Sequence, residues 1–372
     1  MIYFIYLILI FNFLFFLISL LNFIFNKIYL KKLKNSLPKE TALVSVLIPV
    51  RNEEKNIGNL LNDLINQDYK NIEIIVFNDC STDKTKEIVE DFISKDKRIS
   101  LIDSNYLPDG WLGKNFACYN LAKKAKGEYF LFLDADVRIK GNLIQDAISL
   151  IKNEKISFLS IFPTQKMFTL GEYLTVPVIY YILLSLLPFI LVPKSKYSSL
   201  SAAIGQFMLF KKEIYLKYNL HEKFKQSIAE DLEIARYLKK NNERILCLTG
   251  DERLECRMYQ GLNDAINGFS RTIKFIFGNS YLLLILFWII NFYSLILATF
   301  FFINYEFLLI LILFVLNRYF VFKLSRQNVF LNLILSPLQV FFLAFIIYRS
   351  IIGFKKRNII WKDRVLLKYE EK

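Results

Sequence analysis

Asp134 and Asp136 stand one residue apart, directly after the apolar run Tyr129–Leu133, in the stretch "EYFLFLDADVRIK". In extended backbone, residues i and i+2 point to the same side, so both carboxylates can face one cation. Mg2+ and Mn2+ take hard oxygen ligands and need few from the protein when substrate phosphates supply the rest. A strand running into a solvated turn is the plain alternative. Asp231, in "AEDLEIARYL", opens a run with apolar residues at Leu232, Ile234, Ala235 and Leu238. A carboxylate there serves either the helix dipole or, in a site, proton abstraction. Two more polar clusters follow apolar runs: Arg51, Asn52, Glu53 and Glu54 after "LVSVLIPV", and Asn78, Asp79, Ser81, Thr82 and Asp83 at the end of "NIEIIVFND".

The elements that must carry these residues alternate. β-branched runs at 43–50 and 72–79, "RISLID" and "EYFLFLD" read as strands, and helical spacing fills 53–67, 83–93 and 115–125. This order predicts an α/β fold, a mainly parallel sheet with helices on both faces. Ligands of such sheets lie at the carboxyl ends of the strands, where the three clusters fall. Familiar nucleotide fingerprints are missing: there is no GxGxxG. "PDGWLGKN" departs from a phosphate loop, with Pro108 in place of its first glycine and Asn115 in place of Ser/Thr.

The 372 residues are 54% hydrophobic with a formal net charge of +14, which fits a globular domain joined to membrane segments. No nucleic-acid module accompanies the basic charge, so nucleic acid is not an expected partner. Cys80, Cys118, Cys247 and Cys256 form no CxxC pair and His221 is the sole histidine, which excludes the usual zinc spacings. His221 reads as an ordinary loop residue.

Residues 1–26 form an N-terminal transmembrane anchor, followed at once by Lys27, Lys31, Lys32 and Lys34. The positive-inside rule puts that end in the cytoplasm. A globular domain is expected over 41–277, and C-terminal transmembrane segments over 281–348, as 281–303, 307–322 and 329–348. The tail, 349–372, carries Arg349, Lys355, Lys356, Arg357, Lys362 and Arg364 and is also expected in the cytoplasm. Three full crossings would put it outside. One segment is therefore expected to be re-entrant or interfacial: 307–322, short with Arg318 near its end, or 329–348, which holds Pro337. The apolar stretch 173–192, broken by Pro177 and Pro188, is read as an interfacial or re-entrant helix pair, with a buried core helix as the alternative.

The motifs "VSVLIPVRNEEKNI", "VFNDCSTDKT", "GWLGKNFA", "FLFLDADV" and "AEDLEIARYL", in this order, resemble family 2 glycosyltransferases, inverting enzymes of GT-A fold. "GWLGKN" and "RMYQGLNDAINGFS" are similar to membrane-anchored bacterial members that glycosylate carotenoid acids, and to hopanoid-associated relatives. The resemblance implies that Pro49, Arg51 and Glu53 line a nucleotide, that Asp79 meets the base edge, and that Lys114 lies near the nucleotide or its phosphates. It implies that Asp134 binds ribose or metal, that Asp136 binds Mn2+ or Mg2+, and that Asp231 is the catalytic base. Glu230, Trp111 and Arg257 are candidates for acceptor or diphosphate contact; Arg271 is a further basic candidate there or at the membrane surface. Cys80 stands where the family often has glycine, and the Gln-x-x-Arg-Trp element of processive synthases is absent.

The reading is a membrane-bound enzyme, its active domain facing the cytoplasm. It moves one sugar from a nucleotide-sugar, with a UDP-sugar expected, to a carotenoid, hopanoid or other lipid. The alternatives are a polyprenyl-phosphate glycosyltransferase and an inactive membrane scaffold or transporter subunit.

Overall fold

A computed structural model describes residues 2–34, 41–356, 360–362 and 364–365. Arg357 and the tail beyond residue 365 lie outside the described residues. The chain opens with α1 (Ile2–Lys34), β1 (Val44–Val50), α2 (Ile57–Ile65), β2 (Ile72–Asp79), α3 (Thr85–Lys95), β3 (Ile99–Ser104), α4 (Gly113–Lys124), β4 (Tyr129–Leu133) and β5 (Val137–Ile139). Next come α5 (Leu143–Asn153), β6 (Phe158–Phe162), β7 (Thr164–Gln165), α6 (Leu170–Leu186), β8 (Phe207–Lys211), α7 (Lys212–Tyr218), α8 (Leu220–Lys223), α9 (Glu230–Lys240), β9 (Ile245–Thr249) and β10 (Leu254–Cys256). The chain then runs through α10 (Leu262–Ile276), α11 (Tyr281–Thr299), α12 (Tyr305–Leu324) and α13 (Val329–Lys355) to the hairpin β11 (Ile360–Trp361) and β12 (Arg364–Val365).

Seven strands form one sheet in the order β3-β2-β1-β4-β8-β6-β9. β8 alone is antiparallel to its neighbours; the other pairings are parallel. Helices cover both faces, which is why β4 is an unbroken apolar run and β1 is apolar but for Ser45. The chain steps outward from β1 to β3, then crosses to β4 on the other side of β1. That reversal opens a crevice at the carboxyl ends of β1 and β4, the usual ligand position in such sheets. A small sheet, β5-β10-β7, sets Cys256 opposite Val137.

His221 is not a loop residue. It lies in α8, fully buried, with Nδ1 2.8 Å from the Tyr215 hydroxyl. Burial pulls its pKa down to about 3, so it stays neutral.

Four helices, α1, α11, α12 and α13, are long and apolar enough to cross a membrane. α1 and α12 run side by side in the same direction. Ile8 clusters with Ala298 and Ile310, Phe16 and Phe23 meet Phe320, and Thr249 bonds both Asn26 and the Leu324 carbonyl. α1 hides polar residues and exposes apolar ones. Asn12 donates to Ser294 Oγ (2.7 Å). Asn22 donates to the Leu184 and Leu187 carbonyls (2.9 and 2.8 Å) and accepts from Phe189 N–H (2.6 Å).

α13 is different, because both of its ends return to the globular domain. Before it, Arg326 pairs with Glu252 at 2.5 Å; at its far end Arg349 meets Asn267 and the Lys274 ammonium lies over the Phe354 ring. Its outer face carries exposed Phe330, Ile334, Leu338, Phe341, Phe345 and Tyr348 at three- and four-residue spacing.

The stretch read as a helix pair is one long helix, α6, followed by a short turn at Phe189–Leu191. α6 is largely buried between the globular domain and α1, α10, α12 and α13. Pro177 lies inside it and has no N–H to give the Tyr173 carbonyl four residues back. Gln339 of α13 donates to that carbonyl instead, at 2.9 Å.

Candidate active site

A cavity of about 680 Å³ opens at the strand-end crevice. Pro49, Arg51, Glu53, Asp79, Lys114, Asp134, Asp136, Glu230 and Asp231 all line it. Residues spread over 180 positions of sequence meet there because β1, β2 and β4 end on the same edge, and α4 and α9 begin on it.

At one end, Arg51 ties β1 to β2 by donating to the Asp79 and Cys80 carbonyls, both at 2.8 Å. Cys80 has φ 52°, in the left-handed region. Glycine is the natural residue for that backbone, which explains why the motif often carries it. Asp79 is buried. Its Oδ2 pairs with Arg364 at 2.5 Å, while Oδ1 is buried with no hydrogen-bond partner among the described residues. A Cβ on Gly113 would collide with Asp79 Oδ2 and with Arg364, so only glycine lets the start of α4 come this close. Glu53 accepts from Asn56 (2.8 Å) and pairs with Lys362.

The middle of the cavity is a charge cluster. Lys114 Nζ lies 2.9 Å from Asp134 and 3.3 Å from Glu230. A Cβ on Gly205 would fall 2.5 Å from that ammonium and push it aside, so the bare backbone leaves room for the Lys114 ion pairs. Asp231 accepts the Gly205 N–H (2.9 Å) and the Leu232 N–H (2.7 Å). Burial raises its pKa, and the Lys114 charge opposes the rise. Burial likewise pushes Glu230 up to about 7, again against Lys114, with Asp231 and Asp134 adding to the rise.

Asp136 lies beside Asp134 at the end of β4. Burial, then the charges of Asp134 and Glu53, raise its pKa to about 7. Its Oδ1 is buried and has no hydrogen-bond partner among the described residues. Among those residues no group of three His, Cys, Asp or Glu side chains forms a closed metal cage. Two neighbouring aspartates, one with an orphaned oxygen, suit a hard divalent cation whose other ligands come from a substrate.

The opposite wall is apolar. Ile179, Ile182, Leu183 and Leu186 of α6 face Phe269, Phe275 and Ile276 of α10, with Arg271 as the one cation on that wall among the described residues. Two candidates do not line the cavity. Trp111 packs on Phe116 and Tyr119, next to the lining residues Leu112 and Gly113. Arg257 pairs with buried Glu172 at 2.8 Å and lies over the Phe168 ring. Glu172 also accepts the Gly261 N–H at 3.0 Å, so this pair fastens the start of α6 to the start of α10. Sequence reasoning missed Gly113 and Gly205 at the cavity, although "GWLGKN" contained the first. It also missed Lys362 and Arg364 there, having counted them only as tail charges.

This fold is of GT-A type. Residues 45–218 match the model of glycosyl transferase family 2, and this part of the chain is a family 2 glycosyltransferase domain. The 4,4'-diaponeurosporenoate glycosyltransferase of Staphylococcus haemolyticus is 28% identical over 251 residues, 66% of this chain and 65% of that protein. The poly(ribitol-phosphate) beta-N-acetylglucosaminyltransferase TarS of Staphylococcus aureus is 40% identical over 111 residues, 29% of this chain and 18% of that one. The matches thus span less than two thirds of these relatives' own lengths. Among solved structures, the mannosyltransferase PcManGT of Pyrobaculum calidifontis, in complex with GDP-Man and Mn2+, superposes with a TM-score of 0.52 at 14% identity. The superposition covers 94% of this chain and 98% of that one, a likeness of fold.

Proposed function

We propose that this protein is an inverting glycosyltransferase that moves one sugar from a nucleotide-sugar, a UDP-sugar first, to an acceptor in the lipid phase. The observation that carries this reading is the two-ended cavity: acidic and basic groups at the strand ends, apolar α6 and α10 opposite, and Asp231 lining the space they share. The relative named for diaponeurosporenoate, a carotenoid acid, supports a lipid-phase acceptor without choosing between a hydroxyl and an anionic head.

In this reading Arg51, Glu53 and Asp79 hold the nucleoside. Asp136 and Asp134 would hold Mn2+ or Mg2+, whose chemical contribution is to offset charge on the departing diphosphate. The acceptor oxygen attacks the anomeric carbon from the side opposite the diphosphate. The bond from that carbon to the diphosphate oxygen breaks, and the hydroxyl proton passes to Asp231. Two N–H donors fix the Asp231 carboxylate, so it is already oriented for that proton. Lys114, between Asp134 and Glu230, opposes the protonation that burial favours in Glu230 and Asp231.

Arg271 on the apolar wall supports a second reading, an acceptor with an anionic head such as a polyprenyl phosphate. A carboxylate or phosphate acceptor has no proton to lose. Asp231→Asn therefore separates the two. It lowers transfer to a hydroxyl by roughly 10²–10⁴-fold while nucleotide binding persists, and leaves transfer to an anionic acceptor largely intact. The test is incubation of the purified protein and its Asp231→Asn variant with membranes and a panel of nucleotide-sugars, followed by mass spectrometry of extracted lipids. A lipid gaining one sugar is expected. Sugar found only in polymer, or in no lipid, overturns the proposal.

The same reading gives a topology. α1, α11 and α12 cross the bilayer, while α13 lies in the membrane surface on the domain's side, with its Phe330-to-Tyr348 stripe in lipid. The lysines after α1 put that side in the cytoplasm.

A further inference from the structure

The hairpin β11–β12 reaches back into the donor end of the cavity. Arg364 gives a guanidinium N–H to Asp79 Oδ2 at 2.5 Å, across 285 positions of sequence. At the hairpin's turn, Lys362 Nζ bonds Glu53 and the Arg51 carbonyl, and the Lys362 carbonyl accepts from Arg51 Nε at 3.3 Å. Lys362 itself lines the cavity. The hairpin thus engages the three side chains, on Arg51, Glu53 and Asp79, that the proposed function gives to the nucleoside.

The chemistry of these contacts is substitution. A buried carboxylate at a strand end reads a base by accepting an N–H. Here an arginine N–H occupies Asp79, and a lysine ammonium occupies Glu53. We propose that the C-terminal hairpin is a strap that fills the nucleoside end of the empty cavity and competes with the incoming nucleotide for Asp79 and Glu53. The inference rests on the nucleotide-sugar reading of the site. The strap pairs the buried Asp79 and the half-buried Glu53 carboxylates with cations, and it requires the nucleotide to displace two charge-assisted contacts before it can settle. Of the remaining cavity cations among the described residues, Arg51 is held by the hairpin itself, while Lys114 pairs with Asp134 and Glu230 and Arg271 lies on the apolar wall.

The test is calorimetric titration of the detergent-solubilised full chain with UDP and with GDP, each with Mn2+. Alongside it run the double variant Lys362→Ala/Arg364→Ala and a chain ending at Lys356. Both altered chains should bind the preferred nucleotide roughly ten-fold more tightly, the size expected when charge-assisted contacts no longer have to be broken. Trypsin cleavage after Arg364 in the full chain should accelerate when the nucleotide is added. Equal or weaker binding by the altered chains, with the full chain still binding, overturns the strap and leaves the donor site standing. No binding of either nucleotide by any of the three chains overturns the donor reading, and the strap falls with it.

Discussion

Lys114 is the residue on which the cavity's protonation balance turns. Its ammonium lies within 3.3 Å of two carboxylates and lowers the pKa of both Glu230 and Asp231 against the effect of burial. Replacing it with methionine removes the positive charge that lowers both pKa values. Both then hold their protons to higher pH, so less Asp231 is ionised at neutrality. We expect the acid limb of the transfer rate to move to higher pH in Lys114→Met, read from kcat against pH with a hydroxyl acceptor. An unmoved limb would assign it to another group. Asp134, Asp136, Asp79 and Glu53 were legible in the sequence because each follows an apolar strand, and parallel strands deliver their carboxyl ends to one edge. Lys362 and Arg364 were not. Their partners lie about 300 positions away, and no periodicity links a tail cation to a strand end.

Among the elements, the junction of α6 and α13 has a chemical reason to exist. Pro177 orphans the Tyr173 carbonyl, and Gln339 supplies the missing donor. Gln339→Leu should destabilise the protein by about 1–3 kcal/mol, the cost of leaving a buried acceptor unmet. Pro177→Ala in the same chain restores an N–H four residues from Tyr173 and should recover part of the loss. Thermal unfolding in detergent of both single variants and the double variant checks this; no recovery would mean that Gln339 acts through other contacts. The strand–helix order and the apolar helices were readable from hydrophobic periodicity. The role of α13 was not, because hydropathy reports that a helix is apolar and not which way it runs. Arg326 and Arg349, at opposite ends, fix its direction only through distant partners. The polar stripe of α1 was hidden likewise: Asn12, Asn22 and Asn26 are visible in the sequence, but their partners arrive from α6, β9 and α11.

At the scale of the whole molecule, the hairpin's contact with Asp79 places residue 364 on the same side as the sheet. The topology proposed above meets this with an even number of crossings between domain and tail, α11 out and α12 back. Single cysteines at Phe302, in the exposed turn between those helices, and at Lys356 should label from opposite faces of intact cells or vesicles. A background lacking Cys80, Cys118, Cys247 and Cys256 is needed for the experiment. Labelling of both positions from one face would overturn the crossing pattern. The asparagines of α1 also set a schedule. Asn12 finds Ser294 only 282 residues later, and at ribosomal speeds of about 5–20 residues per second that is a wait of roughly 15–55 s. In the proposed topology α1 spends that interval in the bilayer, where the Asn12 amide has the Ile8 carbonyl of its own helix as a partner and lipid offers no other. α1 is thus seated in stages, and in the proposed topology a chain stalled before α11 presents membrane quality control with an anchor that has met α6 and β9 but not Ser294.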